Sequence, residues 1–174
     1  MIGTSDLSPD WKGSPAHEKA TVPDADVDYC CHDLPVFCEA GRELLPDVQF
    51  VENRDECLAD RYDLVLASSS LWYEQDWRAL LARLACAANP YLFVTRMVFL
   101  EDAPSYVAIQ RPWNLGYSTE YLCWILNRRE FVNHATAQGL TLMREFLIGD
   151  APRVHRAPQQ GTLMGFFFCR TSGE

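Results

Sequence analysis

An acid that ends one apolar stretch, a run of serines that ends another, and an arginine-bearing aromatic segment are where side chains here could do chemistry. Asp33 follows Val27-Asp28-Tyr29-Cys30-Cys31-His32 and precedes Leu34-Pro35. A carboxylate at the carboxyl end of a strand can accept paired hydrogen bonds from a diol; equally, it can cap the helix that Pro35 starts. Ser68-Ser69-Ser70 closes Asp63-Leu64-Val65-Leu66-Ala67 and runs into Leu71-Trp72-Tyr73. Small residues there let a ligand approach the backbone, and serine hydroxyls also satisfy peptide groups where a strand stops. Trp72 cannot act as a general base, because an indole only donates. Arg96, Tyr106, Arg111, Trp113 and Tyr117 cluster around an irregular segment. Arginine beside aromatics suits a sugar or an anionic small molecule, through stacking and bidentate pairing, and aromatics in a long connection also serve its own packing. Glu101 and Asp102, just after an apolar run, are the acids positioned to act as bases there.

Strands and helices must hold these side chains, and apolar periodicity locates them. Residues 27–31 and Val48-Gln49-Phe50-Val51 read as short strands. Between them Val36, Phe37, Ala40 and Leu44 recur on one face of a helix that Pro46 stops. Residues 62–67 have the continuous apolar character of a buried parallel strand. The clearest helix covers residues 74–88, with Trp77, Leu80, Leu81, Leu84, Ala85 and Ala88 in one stripe. Asn89-Pro90 ends it, and residues 91–95 form the next strand. Residues 101–118 are irregular apart from a short strand at 107–110, and 119–126 is expected to be a short helix. Asn127 with Glu130 marks a capped helix start; Phe131, Val132 and Ala135 form its buried face, and Gly139 ends it. Strands at 140–148 and 163–170 finish the chain. Alternating strands and helices imply a mostly parallel sheet, and a last strand pair without a helix implies an antiparallel edge.

Composition narrows the class of molecule. The 174 residues are 48% hydrophobic, enough for one domain with a full core. A net charge of -9 argues against nucleic acid, which demands a basic face. No apolar run is long enough to span a bilayer, and no secretory signal opens the sequence. The 7 cysteines form no CxxC pair, and the 4 histidines no helical i, i+4 pair, so neither a disulfide framework nor a metal site is expected. A reducing cytoplasm suits this usage. Residues 1–26 are rich in proline, glycine and acids and read as a disordered tail or poorly packed arm, leaving 27–174 as the domain.

From residue 27 onward, the strand–helix order and the junctions His32-Asp33-Leu34-Pro35 and Ser68-Ser69-Ser70-Leu71-Trp72-Tyr73 resemble the class I S-adenosylmethionine-dependent methyltransferases from their second strand on. Ile109-Gln110-Arg111-Pro112, Gly116-Tyr117-Ser118 and Asn127-Arg128-Arg129-Glu130-Phe131 resemble a little-characterised bacterial family of methyltransferase-like proteins often encoded beside surface-polysaccharide genes. The resemblance implies an α/β, Rossmann-like methyltransferase fold with S-adenosylmethionine as cofactor. It places Asp33 and Leu34 at the ribose, Asn53 and Arg54 near the adenine, and Ser68, Ser69 and Ser70 where the cofactor nears the backbone. Trp72, Tyr73, Arg96, Tyr106, Arg111, Trp113 and Tyr117 would face a small-molecule or glycan acceptor. Trp72 occupies the place of a histidine base in many relatives of this kind, so a base would come from Glu101 or Asp102.

What the resemblance leaves out shapes the remaining expectations. The first strand of that fold, with its glycine-rich turn, is expected to be missing, because Gly3 and Gly13 do not follow apolar strands. A truncated chain, a strand-donating partner chain or a degenerate, non-catalytic interaction module each accounts for this. Cofactor binding by the chain alone is then expected to be weak. Unpaired strand edges would favour a homodimer or a complex with that partner.

Overall fold

The computed structural model describes residues 2–3, 27–149 and 151–171, in two compact units that divide after Asp60. In the first unit, β1 (Ile2–Gly3), β2 (Cys30–His32) and β3 (Gln49–Val51) run parallel, with β2 in the middle. The sequence reading expected no strand before β2. A two-residue strand nevertheless pairs there, with Ile2 opposite His32, while residues 4–26, including Gly13, lie outside the described residues.

Helix α1 (Pro35–Leu44) starts at proline, whose missing N–H has no partner to lose in a first turn. Its buried line differs from the expected stripe. Val36 and Leu44 are 62% and 75% exposed, whereas Cys38 is buried and Gly41 lies against Phe50 of β3. A Cβ on Gly41 would come within 2.3 Å of that ring, so the missing side chain sets which face meets the sheet. Arg42 closes the packing by donating to the Phe50 carbonyl at 3.1 Å and the Glu52 carboxylate at 2.9 Å. Short helix α2 (Arg54–Cys57) follows β3, and its Cys57 thiol meets that of Cys30 in the interior at 3.7 Å.

The second unit is built on β4 (Tyr62–Ser68) and β5 (Ala88–Leu100), parallel and joined through a 3-10 turn (Leu71–Tyr73) and α3 (Trp77–Ala87). The expected stripe of α3 is buried, and Asp76 caps the helix by accepting the Ala79 N–H at 3.0 Å. Strand β5 begins as soon as α3 ends, earlier than expected, and continues to Leu100. Of residues 119–126, expected as a helix, none is helical, and from Tyr121 on they are strand. β7 (Tyr121–Asn127) forms an antiparallel hairpin with β6 (Tyr106–Gln110), and its last residues pair parallel with Phe99 and Leu100 of β5. An apolar run such as Tyr121-Leu122-Cys123-Trp124-Ile125-Leu126 suits either state, and unbroken pairing across the hairpin decides for strand.

Helix α4 (Arg128–Ala137) leads to β8 (Leu140–Gly149) and β9 (Thr162–Arg170), the expected antiparallel pair, with β9 also antiparallel to β5. Gly139, at φ 80°, takes the left-handed turn that ends α4. The core joins Trp77 of α3 and Phe131 of α4 to Phe99, Phe166 and Phe168 of the sheet, all buried. Arg170 bridges two helix ends, donating to the carbonyls of Ala85, Ala88 and Gln138.

Asn127 caps α4 as its spacing from Glu130 suggests, accepting the Glu130 N–H at 3.0 Å. The reciprocal bond of a capping box is relayed. Ser105 donates to the Glu130 carboxylate at 2.5 Å and accepts the Asn127 N–H at 2.8 Å. Asn127 also donates to the carbonyls of Glu101 and Ala103, fixing the turn after β5. Ser105→Ala would leave the Asn127 N–H and one Glu130 oxygen without this partner. A loss of about 1–2 kcal/mol in urea unfolding is expected.

Candidate functional site

Strand carboxyl ends position the side chains that the sequence singled out, in each unit separately. In the first, Asp33 stands just past β2 and accepts the N–H of Leu34 at 2.7 Å. It does not cap α1, whose capping residue is Leu34 itself, so the capping alternative for Asp33 falls. Burial lifts its carboxyl above the ordinary range, against the pull of that N–H. Beside it the Cys31 thiol is pushed up to about 11, again chiefly by burial. Leu34 is largely exposed at the head of α1. Asn53 caps α2 by accepting the Asp55 N–H at 2.9 Å, and its amide donates to Glu56 at 3.2 Å.

In the second unit, β4 ends at Ser68 and the backbone then departs from normal geometry. Ser69 has φ 50°, and Arg96 of β5 has φ 59°. Left-handed backbone in residues with a side chain costs about 1–2 kcal/mol each and gathers at functional positions. Two bonds hold the pair together: Ser69 N–H to the Thr95 carbonyl at 3.0 Å, and Ser69 Oγ to the Arg96 carbonyl at 3.1 Å. Next to them the Ser70 hydroxyl is buried with no hydrogen-bond partner among the described residues. Sequence reasoning chose Arg96 for its side chain and missed Thr95 altogether. Neither Ser nor Arg favours positive φ, so no local signal announced this feature.

The turn after β4 is tied to the hairpin. Trp72 is buried edge-on to Tyr73, and Tyr73 is edge-on to Tyr121 of β7, each at 5.4 Å between ring centres. The Tyr73 hydroxyl donates to Gln110 at 3.1 Å, and Trp124 donates to the Glu74 carbonyl at 3.0 Å. Burial, with Tyr121 close by, holds the Tyr73 phenol well above its usual range, so Tyr73 is a hydrogen-bond donor and no base.

Just beyond Gln110 lies the hairpin tip. Arg111 Nε donates to Glu120 at 2.6 Å, and its guanidinium lies 5.5 Å from the centre of the Trp113 ring. Trp113 and Tyr117 are 57% and 61% exposed. With Gly116, Ser118 and Glu120 they line an open groove of about 580 Å³. The structure thus gathers Arg111, Trp113 and Tyr117, and links Tyr73 to them through Gln110.

Other predicted residues stand apart from that group. Tyr106, at the opposite end of β6, reaches the Gln159 carbonyl at 3.4 Å. Glu101 and Asp102 are exposed in the turn that Asn127 holds, where Gln159 Oε1 accepts the N–H groups of Asp102 and Ala103 at 3.1 and 2.9 Å. The length of β6, about 13 Å at 3.3 Å per residue, separates this turn from the groove. Among the described residues no acidic, histidine and cysteine cluster could hold a metal ion, and no helix is long and apolar enough to cross a membrane.

No protein-family model matches the sequence, and no curated protein matches it. Solved structures do share its fold. The 1,6-didemethyltoxoflavin-N1-methyltransferase of Burkholderia thailandensis, bound to 1,6-didemethyltoxoflavin and S-adenosylhomocysteine, aligns over 89% of this chain and 66% of its own, with TM-score 0.56 and 16% identity. A Listeria monocytogenes protein assigned to the S-adenosylmethionine-dependent methyltransferases aligns over 90% and 86%, with TM-score 0.64 and 10% identity. Magnesium protoporphyrin IX methyltransferase from Synechocystis PCC 6803, bound to S-adenosylmethionine, aligns over 83% and 60%, with TM-score 0.54 and 12% identity. The chain spans a little under two thirds of the first and last of these. At such identities the structural likeness shows the fold alone, which is Rossmann-like, as in these methyltransferases.

Proposed function

We propose that this chain binds S-adenosylmethionine and transfers a methyl group to a small polar acceptor. The observation that carries this reading is Asp33, a half-buried carboxylate just past β2 in a fold shared with methyltransferases. One of its oxygens accepts only the neighbouring Leu34 N–H, which leaves acceptor capacity for the two hydroxyls of a ribose. In the second unit, the buried Ser70 hydroxyl, with no hydrogen-bond partner among the described residues, beside the left-handed turn at Ser69 suits close approach by a polar ligand. The chemistry of each group, taken within its own unit, suits the cofactor. When bound, it supplies an electrophilic methyl group on a sulfonium centre.

The chain's own contribution is binding, orientation and exclusion of water. Asp33 and Leu34 would hold the ribose, and Asn53 and Arg54 the adenine side. Ser68, Ser69 and Ser70, as small residues, would let the cofactor approach the protein backbone at the end of β4. Buried Trp72 and partly exposed Tyr73 supply an aromatic wall that can take no proton from an acceptor. Glu101 or Asp102 could serve as base only for an acceptor that extends to the Asn127 end of the hairpin. A glycan-related acceptor in a bacterial cytoplasm is the finer form of this reading, and the cysteines, all thiols in the structure, suit that compartment.

Calorimetric titration with S-adenosylhomocysteine tests the proposal. Saturable binding is expected, weakened about tenfold or more in Asp33→Ala, the value of one or two hydrogen bonds to a charged group. Asp33→Asn should bind almost as poorly without losing thermal stability at pH 7. The sign follows from the raised carboxyl: the folded chain holds that proton more tightly than the unfolded one, so ionisation on going to neutral pH opposes folding. Undiminished binding in both variants would refute the role of Asp33.

A further inference from the structure

We infer that the groove at the hairpin tip takes a neutral polyhydroxyl ring, of the kind found in saccharides, laid against Trp113, and rejects anions. This rests on reading the tip as the acceptor side of the protein and narrows what that acceptor can be. From sequence, arginine among aromatics admits either a sugar or an anion. The structure separates them. Arg111 does not line the groove; it stands beside Trp113 with its charge spent on Glu120 at 2.6 Å. The carboxylate of that pair is the member that lines the groove, together with Ser118 and Tyr117. An anion in the groove would lie against Glu120, while Arg111 is not among its lining, on a chain whose net charge is already -9.

A neutral polyol meets complementary chemistry instead. Its hydroxyls can donate to Glu120 and exchange hydrogen bonds with Ser118 and Tyr117, while its C–H face packs on exposed indole and phenol rings. Arg111 acts as a positioning residue: it stacks by Trp113 and orients the carboxylate. Glu120 in turn cancels the charge that would otherwise draw phosphate or carboxylate ligands. A cation is the competing occupant, because the groove presents Glu120 on a chain of net charge -9, and pairing of that carboxylate with Arg111 is what weakens its pull.

Saturation-transfer NMR on the full chain, without cofactor, tests this with three probes: a set of neutral methyl glycosides, the matching methyl uronosides, and tetramethylammonium. At least one neutral glycoside should bind in the millimolar range, about fivefold or more tighter than its uronoside and than tetramethylammonium. Trp113→Ala should weaken glycoside binding about tenfold, the value of one stacked ring. Glu120→Gln frees Arg111 and should reverse the order, so that the uronoside binds better than the glycoside. Preference of the unaltered chain for uronoside or tetramethylammonium, no binding of any glycoside, or Glu120→Gln leaving the order unchanged would each overturn the inference. Because no cofactor is present, failure of methyl transfer would leave these results standing. Conversely, S-adenosylhomocysteine titration of Trp113→Ala reports on the cofactor reading alone.

Discussion

Phe131→Ala is expected to destabilise the chain by about 3–5 kcal/mol, read as a shift of the urea unfolding midpoint at unchanged slope. Phe131 is fully buried, and its ring meets those of Trp77, Phe99, Phe166 and Phe168 at 5.9, 5.0, 5.3 and 6.2 Å. One side chain thus joins both helices of the second unit to its sheet. Truncation removes the burial of a whole ring and opens a cavity whose walls are themselves large and rigid, so little collapse can offset the loss. Phe131→Leu should recover more than half of the stability, because it refills most of that volume. A loss under 1 kcal/mol for Phe131→Ala would mean that the two helices are not held by this cluster.

The second large effect belongs to Arg170. Its guanidinium donates to Ala88 at 3.3 Å and Gln138 at 3.4 Å, and also to Ala85. Those carbonyls end α3 and α4, where helical hydrogen bonding has run out and the negative ends of two dipoles converge. Arg170→Met keeps most of the apolar stem and removes the donors. It should cost about 2–3 kcal/mol, since bonds to a charged group are the stronger kind and several carbonyls lose a partner together. Arg170→Lys should recover only part of this, because the three donors of an ammonium sit on one nitrogen, whereas Arg170 reaches the three carbonyls from three separate nitrogens. Near-equal stability of all three chains in thermal denaturation would show that water satisfies those carbonyls instead.

Much of the architecture was legible wherever a local pattern decides it. Trp77, Leu80, Leu81 and Leu84 repeat at helical spacing and are buried, and Asn127 with Glu130 announced a capped start that the bonds bear out. Patterns failed where a partner distant in sequence decides. Tyr121 to Leu126 becomes strand through pairing with β6, and hydrophobicity alone cannot register that. Gly41 fixes the buried face of α1 while contributing nothing to an apolar count. For the site, residue types singled out Asp33 and the hairpin-tip segment, and the structure gathers Arg111, Trp113 and Tyr117 at that tip. The Arg111–Glu120 pair spans a hairpin tip, so its neutrality became visible only once β6 and β7 were aligned. The left-handed pair Ser69 and Arg96 was invisible for a related reason: it is imposed by the packing of two strand ends, against the preference of both residues.

The hairpin's attachment has a consequence for motion. Among the described residues, β6 pairs with β7 alone, and β7 joins the rest of the sheet only where Leu126 and Asn127 lie beside Phe99 and Leu100. Its other end is fastened through side chains, Tyr73 to Gln110 and Tyr121, and Trp124 to the Glu74 carbonyl. Breaking those few links exposes far less apolar surface than separating β5 from β9, so the tip can open as a unit while the core stays closed. Amide hydrogens at Val107 and Ile109 should then exchange with solvent orders of magnitude faster than those at Leu92 and Val94. The anchored end at Asn127 would act as the pivot. A ligand resting on Trp113 would slow that breathing from a distance, turning occupancy of the groove into rigidity along the whole hairpin.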